Sequence, residues 1–97
     1  MCLVTASSPE CWITRKDVHG FGGIPHSFTS LAECQTACID DSTCVAIDWE
    51  PSYAEKSCWI LASREVAYTT QKGVITNYEV NRPCLSLCCF FFAQYVA

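Results

Sequence analysis

Nine cysteines in 97 residues carry most of the reactive chemistry of this chain. Four of them, Cys34, Cys38, Cys44 and Cys58, fall close enough in sequence to share one centre. Thiolates in such a group can hold zinc, cycle as a redox pair or close disulfides. Structural zinc sites favour tight Cys-x2-Cys knuckles, whereas the gaps here are three, five and thirteen residues. A cysteine content of about a tenth is the level of a disulfide scaffold. That density belongs to secreted or cell-surface modules, because the cytosol keeps thiols reduced. Disulfides in an extracellular setting are therefore the expected chemistry.

The other reactive side chains form no catalytic constellation. His19 and His26 flank a glycine loop without a carboxylate-rich or nucleophilic motif around them, and read as surface histidines. Asp40-Asp41-Ser42 lacks the spaced oxygen ligands and glycine of a calcium loop and reads as a turn. Asp48 and Glu50 suggest paired carboxylates, but nothing supplies an oxyanion hole or a positioned nucleophile. No enzyme activity, metal or cofactor is expected. The net charge of −4, with only six Lys and Arg, argues against nucleic acid, heparin-type ligands and anionic membranes, each of which needs clustered cations.

These residues must be positioned by one small domain, since 97 residues bury only a modest core. The clearest element is a helix. Ser30 and Glu33 stand in the S-x-x-E relation of a capping box, in which the serine hydroxyl accepts from the N–H three residues on and the glutamate reaches back to the serine N–H. Helix-favouring residues run from Leu31 to about Ile39, with Leu31, Cys34 and Cys38 on one face. Cys11-Trp12-Ile13-Thr14 reads as a short strand, followed by a charged turn at Arg15-Lys16-Asp17 and a loop, HGFGGIPH. Val45 to Trp49 alternates, with Val45, Ile47 and Trp49 opposite Ala46 and Asp48. Glu50 to Ser57 is a polar hairpin loop. Cys58 to Ala62 is apolar on both sides and should be central. Residues 63–73 form a polar connection, and Val74 to Val80 alternates again. The expected fold is a small disulfide-rich α+β domain with an antiparallel sheet. It should span residues 11–84, between a flexible leader at 1–10 and an apolar tail at 85–97.

The leader lacks the basic start and long apolar run of a signal peptide, so the chain is expected to be part of a longer protein. The tail, LSLCCFFFAQYVA, covers 13 residues against the ~20 that span a bilayer. It reads either as the stub of a truncated membrane anchor or as a terminal strand. Only in the first case would a membrane be a partner.

Six cysteines lie inside the domain: Cys11, Cys34, Cys38, Cys44, Cys58 and Cys84. Six allow 15 pairings, among which sequence alone does not choose. Cβ atoms one helical turn apart sit ~5–6 Å from each other, too far for a bond between Cys34 and Cys38. Cys44, just past the helix end, is within reach of Cys38 after a tight reversal. Cys58 is the natural sheet partner for Cys34, which leaves Cys11 and Cys84 to join the ends. The order FTSLAECQTACIDDSTCVAIDW, then CWIL, then GVITNYEVNRPC resembles the PAN/apple domain of animal surface and matrix proteins over about residues 11–84. The resemblance implies one helix packed on a curved antiparallel sheet. It also implies the pairs Cys34–Cys58, Cys38–Cys44 and Cys11–Cys84, the same three that reach favours. GFGG followed by the two helical cysteines also resembles the end of a Kunitz inhibitor. There a cysteine would follow the glycine pair, where this chain has Ile24, and the domain would stop near Cys38.

The function implied is a non-catalytic recognition or adhesion module that binds protein or carbohydrate as part of a larger secreted or cell-surface protein. A small secreted inhibitor or toxin-like effector acting alone is the alternative. Phe21 in the glycine loop and Tyr53 and Tyr68 on polar connections are the aromatics expected at the surface, where they suit sugar stacking or a protein hot spot. Cys2, Cys88 and Cys89 fall outside the framework. They would serve either in an extra bridge that leaves an odd thiol for an intermolecular bond, or, at 88 and 89, in acylation at a membrane edge.

Overall fold

Ser30 starts the helix as its cap chemistry requires. Its backbone is extended, and its Oγ accepts a hydrogen bond from the Glu33 N–H at 3.2 Å. The return half of the capping box differs from the expectation. The Glu33 carboxylate accepts from the hydroxyls of Thr29, at 2.7 Å, and Ser30, at 3.2 Å, so two hydroxyls occupy the oxygen that would have reached the Ser30 N–H. In the computed structural model, which describes residues 5–85, this helix, α1, runs over Leu31–Asp40. Asp41 ends it: its carboxylate accepts from the N–H and the hydroxyl of Thr43. That Asx turn folds the chain back so that the Cys44 N–H donates to the Asp41 carbonyl at 2.9 Å.

Seven strands surround the helix: β1 (Trp12–Lys16), β2 (Val18–Gly20), β3 (Ile24–His26), β4 (Ala46–Trp49), β5 (Cys58–Leu61), β6 (Val66–Tyr68) and β7 (Thr76–Val80). Five form a sheet in the order β1-β7-β4-β5-β3, antiparallel throughout. β2 and β6 pair as a separate antiparallel ribbon. The molecule is thus a small disulfide-rich α+β domain with one main helix. β5 is interior, flanked by β4 and β3, but β4 is the middle strand.

Three differences from the sequence reading share one cause. Arg15 and Lys16 belong to β1 rather than to a turn, the HGFGGIPH segment contributes β2 and β3, and the polar connection after residue 62 contributes β6. Each depends on a partner far along the chain: Lys16 faces Thr76, Ile24 faces Ile60, and Val18 faces Tyr68. The turn itself falls on Asp17, which has a positive φ of 61°. Its carboxylate accepts from the Gly73 N–H at 2.6 Å and its carbonyl from the Thr69 N–H at 2.9 Å. Residues 5–10, expected as leader, are hydrogen bonded to the domain. They make a turn and a 3-10 turn over Pro9–Cys11, and the Trp12 indole N–H donates to the Ala6 carbonyl at 2.6 Å.

The core lies between α1 and the sheet. It joins Cys34 and Cys38 of the helix to Trp12, Ile47, Cys58, Ile60 and Val80, with Cys11 and Cys44. All three sulfur pairs stand at bonding distance: Cys34–Cys58 ties α1 to β5, Cys38–Cys44 closes the helix end, and Cys11–Cys84 joins the two ends of the domain. Their Cα separations, 5.7, 5.3 and 5.5 Å, lie in the usual disulfide range. The readings placed on Cys2, Cys88, Cys89 and the apolar tail from residue 86 on lie outside the described residues.

Candidate functional site

The opposite face of the sheet is built differently. Side chains alternate along β4, so Ile47 enters the helix-side core while Ala46 and Asp48 point the other way. Asp48 faces Asn77 of β7 and Trp59 of β5 across the ladders, and these three form one row. The β2–β6 ribbon packs over this face, with β2 against β4 and β7. Its approach is set by glycines. A Cβ on Gly20 would stand 2.5 Å from Leu61 Cδ1, and one on Gly23 would stand 2.9 Å from Leu61 Cδ2 and 3.1 Å from Trp59 Cβ. Gly22, between them, has a φ of +69°, which a side chain tolerates poorly. The GFGG segment therefore brings main chain close to the sheet, and Phe21 is left 48% exposed.

Where the ribbon and the sheet part, a cleft of about 310 Å³ opens. Trp59, Leu61 and Ile75 make its apolar wall, Gly20, Gly22 and Gly23 its main-chain wall, and Asp48, Glu50 and His19 its polar end. Asp48 is only 5% exposed. Its Oδ2 accepts from the Gly20 N–H at 2.8 Å and its Oδ1 from the Asn77 amide at 2.9 Å. Burial raises its pKa above the ordinary value against the pull of those two donors and of His19. Glu50 is raised as well, by burial first and then by the charge on Asp48. Among the described residues neither carboxyl is in an ion pair. His19 Nδ1 lies 2.9 Å from the Gly20 carbonyl. A carbonyl only accepts, so in the neutral ring Nδ1 carries the proton and Nε2 is the acceptor. Phe21 meets the His19 ring edge-on at 5.3 Å.

The sequence reading set His19 and its glycine loop apart from the Asp48–Glu50 pair; the fold brings them together. The one signal available was the alternation of β4, which puts Asp48 opposite Ile47 on a face that needed a cover. Trp59, on the strand read as central, is a cleft wall. His26 sits apart on β3, stacked on Phe28 at 5.8 Å. Among the described residues, no group of three or more His, Cys, Asp or Glu side chains is placed to hold a metal ion. Cys34, Cys38, Cys44 and Cys58 are each in a disulfide pair.

The three expected surface aromatics are exposed and do not form one cluster. Tyr68, at the end of β6, is 87% exposed and shares the ribbon with β2, which leads into Phe21. Tyr53 is 42% exposed on the β4–β5 connection, next to a 3-10 turn (Ala54–Lys56) that packs on β3. Among the described residues the aromatic ring pairs are His19–Phe21 and His26–Phe28, so none of the three rings stacks on another. No helix of the described residues is long and apolar enough to cross a membrane. No family model, no curated protein and no solved structure matches the chain.

Proposed function

We propose that the chain is an extracellular, non-catalytic recognition module of the PAN/apple type, with its helix cradled on a curved sheet, and that it binds a protein or carbohydrate ligand through the β2–β6 ribbon and the cleft beside it. The observation that carries this reading is Tyr68, 87% exposed, on the ribbon whose β2 strand leads into the exposed Phe21, between two glycines, Gly20 and Gly22, that line the cleft. Large aromatic surface left in water on a rigid element is what a binding hot spot uses, because it orders few torsions on binding. Three disulfides supply the rigidity and suit an oxidising compartment. The cleft favours binding over catalysis: both Asp48 oxygens are held by donors of the fold, which suits a fixed acceptor better than a proton shuttle.

The test uses the whole oxidised chain on an array of extracellular proteins and glycans. Phe21→Ala and Tyr68→Ala should each weaken a genuine binder at least several-fold while the unfolding midpoint stays put. Binding that is indifferent to both substitutions, or its absence across the array, would reject the ribbon as the recognition surface.

A further inference from the structure

We propose that the cleft takes the cationic head of a basic side chain, a lysine ammonium or an arginine guanidinium, presented by a protein partner. This deepens the recognition reading and rests on it. The cavity joins two unlike ends. Its polar end carries the carboxylates of Asp48 and Glu50, which only accept, and His19, whose Nε2 accepts in the neutral ring. Its wall carries Trp59, Leu61 and Ile75. A basic side chain has the same two parts in the same order: a head made only of donors and an aliphatic stem that packs on apolar surface. A Trp ring beside the path adds attraction for the cation. The volume of about 310 Å³ is at the small end of ligand clefts, enough for one side chain.

Charge separates this ligand from the other candidates. An anion would meet two carboxylates. A neutral sugar offers hydroxyls that accept as readily as they donate, while the side-chain donors of the lining are the indole N–H of Trp59 and the Nδ1–H of His19, the latter already given to the Gly20 carbonyl. The second concavity of the sheet supplies a contrast. There Glu79 is already matched, by Arg15 at 3.1 Å and Arg64 at 3.5 Å. Among the described residues those are the ion pairs, and neither involves Asp48 or Glu50. Lys56 lies over the Trp59 ring, 6.0 Å from its centroid, without lining the cleft. A charge kept out of water without a counter-ion is costly, and an incoming cation relieves that cost for the buried Asp48 carboxylate.

The experiment follows the backbone amides of Gly20, Gly22 and Gly23 by NMR in the oxidised full-length chain. The ligands are the N-acetyl methylamides of lysine, arginine and norleucine, and a methyl galactoside. The two cationic ligands should give saturable shifts at these glycines, and norleucine should bind at least about tenfold more weakly. Glu50→Gln should weaken the cations about tenfold; it is preferred to Asp48→Asn because that change would force the buried Asn77 amide to rotate. Equal binding of norleucine, shifts with the galactoside alone, no shifts at all, or indifference to Glu50→Gln would each overturn the inference. An array partner lost in Phe21→Ala but kept in Glu50→Gln would remove the cation and leave the recognition reading. Lysine binding with no array partner would do the reverse.

Discussion

The Arg82 guanidinium donates to the Cys38 carbonyl at 3.0 Å, beside the disulfide that Cys38 makes with Cys44. The same nitrogen, Nη2, also donates to the carbonyls of Asp41 at 2.7 Å and Cys44 at 3.0 Å, while Nη1 reaches Ile39 at 3.3 Å. Cys38 and Ile39 lie in the last turn of α1 and Asp41 and Cys44 in the reversal that follows it, so the guanidinium sits where the helix macrodipole favours positive charge. One side chain from the closing segment therefore satisfies a helix end that lacks a basic residue of its own.

Arg82→Ala should cost about 2–3 kcal/mol in denaturant unfolding of the oxidised chain, the range for hydrogen bonds to a charged group. Arg82→Lys should recover only part of that, because an ammonium lacks the planar fork that spans several carbonyls. A loss below ~0.5 kcal/mol, ordinary for a surface position, would mean that water serves those carbonyls equally well.

The three bridges should differ in worth according to the loops they close. Loop-closure entropy assigns about 4.5 kcal/mol to Cys11–Cys84, ~3.5 to Cys34–Cys58 and ~2–2.5 to Cys38–Cys44, in the order of their sequence separations of 73, 24 and 6 residues. Paired replacement by alanine, one bridge at a time, should reproduce that order in unfolding free energy. Mass mapping after partial reduction gives an independent check: a Cys34–Cys44 or Cys38–Cys58 peptide would contradict the pairing.

What the sequence disclosed about the fold was local. The helix was legible because Ser30 and Glu33 announce its start and Asp41 its end within a few residues. β4, β5 and β7 were legible because four or five residues suffice to display alternation or an apolar run. β2, β3 and β6 have three residues each, too few to show a period, and their glycine-rich or polar surroundings signal loop. The cleft was illegible for a related reason. It depends on Gly20 donating to Asp48, 28 residues away, and on a ribbon whose existence no short window reveals. Phe21, Tyr53 and Tyr68 were legible as surface aromatics because polar or glycine-rich neighbours leave nothing to bury them.

Ser57 predicts a second fastening that stability measurements can reach. It is 1% exposed, its Oγ accepts from the Phe28 N–H at 2.9 Å, and its hydroxyl donates to the Phe28 carbonyl at 2.7 Å. Ser57→Ala removes both partners of one peptide group ahead of the helix and should cost about 2 kcal/mol. Hydrogen exchange at the Phe28 amide should accelerate more than at the β4 amides. Equal acceleration everywhere would mean that only global stability had changed.

Gly20 should prove intolerant of the smallest side chain. An added Cβ would meet Leu61 Cδ1 at 2.5 Å, and Leu61, at 1% exposure, has little room to turn away. Gly20→Ala should therefore cost about 1–3 kcal/mol by overpacking. Combining it with Leu61→Ala tests the contact directly. The double variant should be more stable than the sum of the two single losses implies, because the second change makes room for the first. Simple additivity would place the strain elsewhere.

Asp48 makes the domain's stability depend on pH in a direction opposite to that of an ordinary surface carboxylate. Burial raises its pKa in the folded chain, so between the unfolded value, ~3.9, and that raised value the folded state binds more protons. Stability from this group is then fully present below the unfolded pKa and is lost as pH rises through the folded one. Glu50 acts in the same direction. Glu33 and Asp41 oppose it. Their pKa values are lowered, chiefly by side-chain hydroxyls of Thr29 and Thr43, so their contribution is present above the ordinary carboxylate value and fades as pH falls. Asp48→Asn isolates the first effect, since an amide can still accept from the Gly20 N–H and pair with a rotated Asn77 amide. Relative to wild type, the variant should gain stability from about pH 4 up to the raised pKa of Asp48 and level off above it. A difference that stays flat across this range would show that the Gly20 and Asn77 donors fully offset the burial of the charge.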